Sequence, residues 1–222
     1  PISLLNLDYK ILSTVLTNRL KNVLDEVIDK RQTCGGRGRQ ITDTILSIKS
    51  IIEFTEEKKQ GAAIVRIEMI SLKIQHDPSI IGIKIPNMKH ETKTYQHADD
   101  CTHFITDKKS YHSLIQQYEH YGKISGSKIN TNKTEILLIG NWRGNHPGLP
   151  PNLIRPTIKI LGNHFGINSK TMNFKNKKQK LLQHTKIWNL RHLNLIEKAH
   201  IAKTYLYNAI WHEFDNNDFE FR

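Results

Sequence analysis

Near the middle of the chain two carboxylates stand side by side in His97-Ala98-Asp99-Asp100, after an extended polar run from His90 to Gln96 and before Cys101-Thr102-His103-Phe104-Ile105. Successive side chains of a strand point to opposite faces, so both acids can serve one site only if the chain reverses there. The stretch is therefore expected to form a β-hairpin over Thr92 to Ile105 with the acids at its tip. Such a tip can hold a divalent cation, because Mg²⁺ takes carboxylate oxygens and keeps waters for a phosphate substrate, and phosphoryl-transfer enzymes use two such ions to clamp the attacking and leaving oxygens. An Asp pair in a polar loop is by itself an ordinary turn. Other stretches must agree before it means more.

The totals narrow the choice of partner. With 222 residues the chain can bury one good core or two small ones. Lys and Arg number 33 against 21 Asp and Glu, a formal charge of +12, which favours a polyanionic partner. Hydrophobic residues make up 37% and the mean hydropathy is −0.52, so an incomplete or loosely packed core is expected. Cys34 and Cys101 build neither a disulfide framework nor a CxxC knuckle, which fits a reducing, intracellular setting, nucleus or cytoplasm. No apolar run reaches the length of a membrane span and no signal peptide is visible, so no membrane partner is expected. Beginning at Pro1 rather than Met, the chain reads as a fragment or an incomplete reading frame.

Residues 8 to 28 place Ile11, Leu12, Val15, Leu16, Leu20, Val23, Leu24 and Val27 at helical spacing, with Lys10, Arg19 and Lys21 on the other face. A glycine-rich basic loop follows, Gln32-Thr33-Cys34-Gly35-Gly36-Arg37-Gly38-Arg39, able to approach a phosphate but lacking the ending of a P-loop. Thr42 or Asp43 is expected to cap a helix facing inward through Ile45, Ile48 and Ile52. After Gly61, the β-branched run Ala63 to Ile70 reads as a buried strand carrying Glu68 near its end. Asp77-Pro78 marks a turn and Ile80 to Ile85 alternates as a strand. A helix is spaced by Tyr111, Leu114, Ile115, Tyr118 and Tyr121 and stops near Gly122 or Gly126; Ile136 to Ile139 is a short buried strand. The proline- and glycine-rich residues 140 to 156 read as a linker. Beyond it come an expected strand from Ile158 to Phe165 and a lysine-rich segment from Asn173 to Arg191. A last helix begins at Asn194 with Glu197 in capping-box spacing. Lys175, Lys177, Lys178, Lys180 and Lys186 form the densest positive patch, suited to phosphate contacts.

Taken in order, these stretches resemble the reverse transcriptase of LINE-like, non-LTR retrotransposons. Pro1 to Asn6 with Asp8-Tyr9-Lys10-Ile11 and Asn18-Arg19-Leu20 is similar to the fingers entry of that family, and Gln32-Thr33, Gly38-Arg39, Ile41 and Asp43 to its next fingers motif. His97-Ala98-Asp99-Asp100 resembles its catalytic Tyr/Phe-Ala-Asp-Asp turn. Ser125-Gly126, Lys128-Ile129-Asn130 and Asn132-Lys133-Thr134-Glu135 resemble the segment that follows it. Leu161-Gly162 and the helices from Trp188 to Trp211 are similar to the approach to the thumb. The resemblance implies an α+β, right-hand polymerase-like fold: fingers and a shortened palm over 1–140 (fingers 1–60, palm 61–140), a linker over 141–157, and a helical, thumb-like segment over 158–222. It implies RNA-directed DNA polymerisation with an RNA template, a DNA primer and deoxynucleoside triphosphates. Glu68, Asp99 and Asp100 would hold Mg²⁺ (or Mn²⁺), Lys133 would serve as proton donor to the leaving pyrophosphate, and Arg37 and Arg39 would meet the triphosphate or nucleic acid. The resemblance says nothing of oligomeric state.

The departures matter equally. Glu68 stands where the family has its first catalytic Asp, moving the carboxylate out by on the order of 1 Å, a misplacement that can cost about 10²-fold in rate. The long helical region and the Gln-Gly-x-x-Leu-Ser-Pro motif that hold template and nucleotide are missing between Glu68 and the hairpin, and His97 replaces an aromatic residue. Impaired or absent catalysis with residual nucleic-acid binding is therefore expected, and apolar surface left uncovered by the missing helices. A rival reading uses the same stretch: on one continuous strand His97, Asp99, Cys101 and His103 would share a face, and such side chains suit Zn²⁺.

Overall fold

The computed structural model describes residues 6–28, 31–34, 38, 40–68, 74–86, 90–145, 147–189, 191 and 193–207. Its centre is β1 (Ala62–Glu68), an inner strand of a four-stranded sheet. On one side β1 pairs antiparallel with β3 (Asp100–Ile105), which pairs antiparallel with β2 (Thr94–His97); on the other side β1 pairs antiparallel with β4 (Glu135–Ile139). The order β2-β3-β1-β4 makes β3 and β4 parallel to each other with β1 between them, joined across the sheet by a helix over Lys108–Ser125. This is the split βαβ strand order of ferredoxin-like sheets.

Five α-helices accompany the strands among the described residues: α1 (Leu7–Val27), α2 (Ile41–Glu57), α3 (Lys108–Ser125), α4 (Ser169–Asn189) and α5 (Leu195–Ile201). The period of two along β1 sorts the core into two layers. Ala63, Val65 and Ile67 face α3 through Tyr111, Leu114 and Tyr118, joined by Ile74, Ile80, Ile105, Ile136 and Leu138. Ala62 and Ile64 face α2 through Ile45, Ile48 and Ile51, joined by Phe104, Leu137 and Ile139. A second hairpin, β5 (Thr157–Ile160) and β6 (Asn163–Gly166), adds Ile158, Ile160 and Phe165 to the α2 layer. Full burial of each such aliphatic side chain contributes roughly 1.5–3 kcal/mol, so both layers are needed to hold so polar a chain together.

Local chemistry sets the helix ends. α2 is preceded by Gln40, whose backbone N–H donates to the Asp43 carboxylate at 3.2 Å; Gln40, not Thr42 or Asp43, is the cap residue. Asp107 caps α3 by accepting from the Ser110 N–H, and Gly126 closes it in the left-handed region at φ 73, as its position predicts. Asn194 and Glu197 form the expected capping box of α5. The reading of Ile158 to Phe165 as one strand is corrected: Leu161 (φ 49) and Gly162 (φ 86) turn it into the β5–β6 hairpin, two positive φ values being what a tight hairpin turn requires. Ile80 to Ile85 forms no strand either. Ile83 alone bridges Thr92, and Gly82 lies so close to the Thr92 carbonyl that a side chain would collide with it. The Asp77-Pro78 turn is pinned to α3, since the Asp77 carboxylate accepts from Ser79 and from Gln117 Nε2 at 2.6 Å. Burial acts to raise the pKa of Asp77, but these hydrogen bonds and the charge of Lys93 outweigh it and hold it below the ordinary value.

Elsewhere the packing departs from what the pattern suggests. α1 forms where its spacing places it, yet Ile11, Leu12 and Leu16 are more than half exposed, and no described residue of α1 joins either core layer. Leu149, from the stretch read as a linker, is buried in the α3 layer, and Ile154 bridges Ile136. The end of the strand expected at Met69 and Ile70, and the helical residues Ile210 and Trp211, lie outside the described residues.

In the α3 layer His103 is fully buried, its Nε2 2.7 Å from the Tyr118 hydroxyl and its Nδ1 without a partner. Burial pushes its pKa down to about 3. A His whose folded-state pKa lies below its unfolded value contributes stability above about pH 6.5 that is lost as pH falls toward the folded value, at about 1.4 kcal/mol per pH unit. Urea titrations at about pH 7.5 and pH 5.5 should differ by about 1.4 kcal/mol more in the native chain than in a His103→Phe/Tyr118→Phe variant, which retires both polar groups together. Equal pH dependence in the two proteins would show that His103 is not held neutral.

Candidate functional site

The α2 face of the sheet changes character along β1. Ala62 and Ile64 are dry; two residues on, the same face carries Arg66 and then Glu68. Across the strands, Arg66 stands opposite Thr102 on β3 and Glu135 on β4, and Glu68 stands opposite Asp100. Beyond Asp100, His97 is its partner on β2. The sheet thus gathers Glu68, Asp100 and Glu135 on one face beside a single guanidinium.

Arg66 ties them together. Its Nη2 donates to Glu68 Oε1 at 3.1 Å and to Asp100 Oδ1 at 3.0 Å, and its Nη1 lies 3.6 Å from Glu135 Oε2. Lys133, in the turn before β4, donates to Glu68 Oε2 at 2.7 Å. That hydrogen bond and the charge of Glu68 raise the pKa of Lys133 above its ordinary value, against desolvation and the charge of Arg66, with Asp99 adding to the rise. Arg66 has only 19% of its side chain exposed and Lys133 57%, so the guanidinium is the inner cation and the ammonium an outer, solvent-screened one.

The hairpin tip is buttressed from outside. Residues 31–34 run along the edge of β2, with the Thr33 N–H donating to Gln96 O at 3.0 Å and the Gln96 N–H to Arg31 O at 3.2 Å. Gln32 Oε1 accepts from the Ala98 N–H at 3.3 Å and the Cys34 N–H at 3.1 Å, and the Thr33 hydroxyl meets His97 Nδ1 at 2.9 Å. These contacts cover an edge that would otherwise offer unpaired backbone groups. They also hold Ala98 at φ 55, where a Cβ is strained.

Of the residues singled out from sequence, Glu68, Asp100 and Lys133 are brought into one cluster. Asp99 sits exposed at the tip and acts on Lys133 through its charge. Lys175 and Lys178 are exposed on α4, which is anchored on β6 through Asn173 and makes no hydrogen bond or ion pair to this cluster among the described contacts; the side chains of Lys177 and Lys180, and Arg37 and Arg39 entirely, lie outside the described residues. The expected face shared by His97, Asp99, Cys101 and His103 does not exist. The chain reverses at Ala98-Asp99, which leaves His97 on the face of Asp100 and turns Cys101 and His103 to the opposite one, where His103 is occupied by Tyr118. Among the described residues no group of three or more His, Cys, Asp or Glu is placed to hold a metal ion.

Sequence reasoning missed Arg66 and Glu135. Arg66 carried a signal, a lone charge in an apolar run at even spacing from Glu68; Glu135 could be joined to it only once the β1–β4 register was known. A broader signal was also missed. Residues 136–196 contain no Asp or Glu and ten Lys and Arg, so the positive charge is concentrated in the part that forms β5, β6 and α4.

No protein-family model matches the chain. Over 68 residues it is 35% identical to the Transposon TX1 uncharacterized 149 kDa protein of Xenopus laevis, a match covering 31% of this chain and 5% of that protein. The chain is thus similar to a short stretch of a transposon protein.

The strain at the tip can be tested locally. Ala98→Gly should leave stability unchanged or raise it by up to about 1 kcal/mol, whereas the β-branched Ala98→Val should cost more than about 1 kcal/mol. Equal tolerance of both substitutions in chemical denaturation would rule out the positive φ.

Proposed function

We propose that the chain is a remnant of a retroelement reverse transcriptase, a shortened palm with flanking helical segments, in which nucleotidyl transfer is impaired or absent and binding to RNA or DNA persists. The observation that carries the reading is the pairing of the acid-bearing β1 with the first strand residue after the Ala98-Asp99 tip, Glu68 opposite Asp100. A right-handed polymerase palm needs an acid strand beside an acid hairpin on an accessible sheet face. The motif order along the chain and the similarity to a transposon protein support the same origin.

The division into fingers and palm over 1–140, a linker over 141–157 and a thumb-like segment over 158–222 belongs to this reading. In the ancestral reaction Glu68, Asp99 and Asp100 would hold Mg²⁺ or Mn²⁺, which supplies charge neutralisation at the transferred phosphate. The residues present do not fit that ion, because the Arg66 guanidinium already spans Glu68 and Asp100. Lys133 is likewise engaged by Glu68, and the connection from β1 to β2 supplies no α-helix among the described residues to hold template and nucleotide.

Binding has a separate basis. On α4 the exposed Lys175, Lys178 and Lys186 lie on the side away from Asn173, which is buried and anchors the helix by exchanging hydrogen bonds with His164 N and O at 2.7 and 3.1 Å. A row of ammonium groups fixed in this way suits a phosphate backbone without reading its sequence.

Primer extension on an RNA template with a DNA primer, deoxynucleoside triphosphates and Mg²⁺ should give no product above that of Asp99→Ala. Robust synthesis abolished by that substitution would overturn the claim of impairment. Affinity for RNA or DNA should fall steeply with salt, and Lys175→Gln/Lys178→Gln/Lys186→Gln should flatten the log–log slope by about two to three, at roughly 0.7–0.9 per lost phosphate contact. A salt-independent affinity would remove nucleic-acid binding from the proposal.

A further inference from the structure

We propose that Arg66 is a built-in counter-ion, holding Glu68, Asp100 and Glu135 together in place of a divalent cation, so that this acid cluster is closed to metal as long as the guanidinium is present. The inference rests on the proposed function only in treating the acids as descended from a cation-binding cluster. The counter-ion role itself follows from the geometry.

Carboxylates gathered on one partly buried sheet face repel each other, and the repulsion has to be met by a cation, by protons or by separation. Here one Nη2 reaches two carboxylates from different strands within 3.1 Å, and Nη1 stands 3.6 Å from the third. A divalent ion shared by Glu68 and Asp100 would have to occupy the space that Nη2 now fills. Guanidinium is also suited to permanence. A guanidinium is a permanent cation in proteins, and its planar fork contacts several oxygens at once. Arg66 rises from an inner strand, so its stem cannot leave without disturbing the sheet, whereas a surface lysine could swing away. Lys133 illustrates the difference: it meets Glu68 from outside with most of its side chain in solvent.

The test needs no enzymatic readout and so fails independently of the retroelement reading. Mn²⁺ binding to the full chain is measured by electron paramagnetic resonance, and thermal stability is followed in millimolar MnCl₂ or MgCl₂ against NaCl of equal ionic strength. The native chain should bind no stoichiometric Mn²⁺, and its melting temperature should respond to the divalent salts only as it does to NaCl. Arg66→Met, which keeps much of the stem and removes the charge, should be less stable, should gain one Mn²⁺, and should be stabilised by that ion through mass action. Adding Glu68→Gln to Arg66→Met should abolish the gain. If Arg66→Met does not fold with or without Mn²⁺, Arg66→Met/Glu135→Gln, which carries one repulsive charge fewer, takes its place with the same expectations. One Mn²⁺ bound by the native chain would overturn the proposal, and so would a folded Arg66 variant that gains no ion.

Discussion

The fold depends on the register of β1, which is hydrogen-bonded on both edges and whose alternation decides what lies in each layer. Odd positions from Ala63 to Ile67 build the core with α3; even positions begin the core with α2 and then become ionic. A slip of one residue against β3 would drive Arg66 and Glu68 into the α3 layer, among Leu114 and Tyr118, and expel Val65 and Ile67. Unpaired charges there would cost several kcal/mol each. The ion cluster therefore does more to exclude wrong registers than to stabilise the right one, since partly buried ion pairs return little beyond their desolvation cost. The orphaned Arg66 Nε is a sign of that cost.

The same alternation governs what could be read in advance. The hairpin at Ala98-Asp99 was legible because two adjacent acids make sense together only at a reversal, and the ends of α3 and α5 were legible because Gly126, and Asn194 with Glu197, act locally. The β5–β6 hairpin was not, since its turn is Leu161-Gly162 and a leucine at positive φ hides the signal that Asn would give. α1 shows the reverse: its spacing predicted a helix correctly and said nothing about whether any partner covers its apolar face. The site divides in the same way. Glu68, Asp99, Asp100 and Lys133 are visible as residue types in a familiar order, but Glu135 and the role of Arg66 depend on strand pairing between segments far apart in the chain, which periodicity cannot supply. The supposed zinc-binding face failed for the same reason, because it assumed a continuous strand where the acids themselves demand a turn.

The topology also bears on how so polar a chain keeps a core. In the order β2-β3-β1-β4 the two crossovers start from antiparallel strands and run in opposite directions, so crossovers of one hand fall on the same side of the sheet. One of them is α3. The other, from β1 to β2, contributes Ile74 and Ile80 to the same layer, with Leu149 from the segment after β4 beside them, so short irregular pieces fill space that a second crossover helix would occupy. The face with the acids is the opposite one, and there α2 and the β5–β6 hairpin cover only the apolar half. The ionic half is partly open to solvent at the hairpin tip. The acid face lies opposite the crossover layer, so its cover does not depend on the length of that crossover. What the acids need instead is a fixed positive charge, and Arg66, rising from an inner strand, supplies one that does not depend on the loops around it.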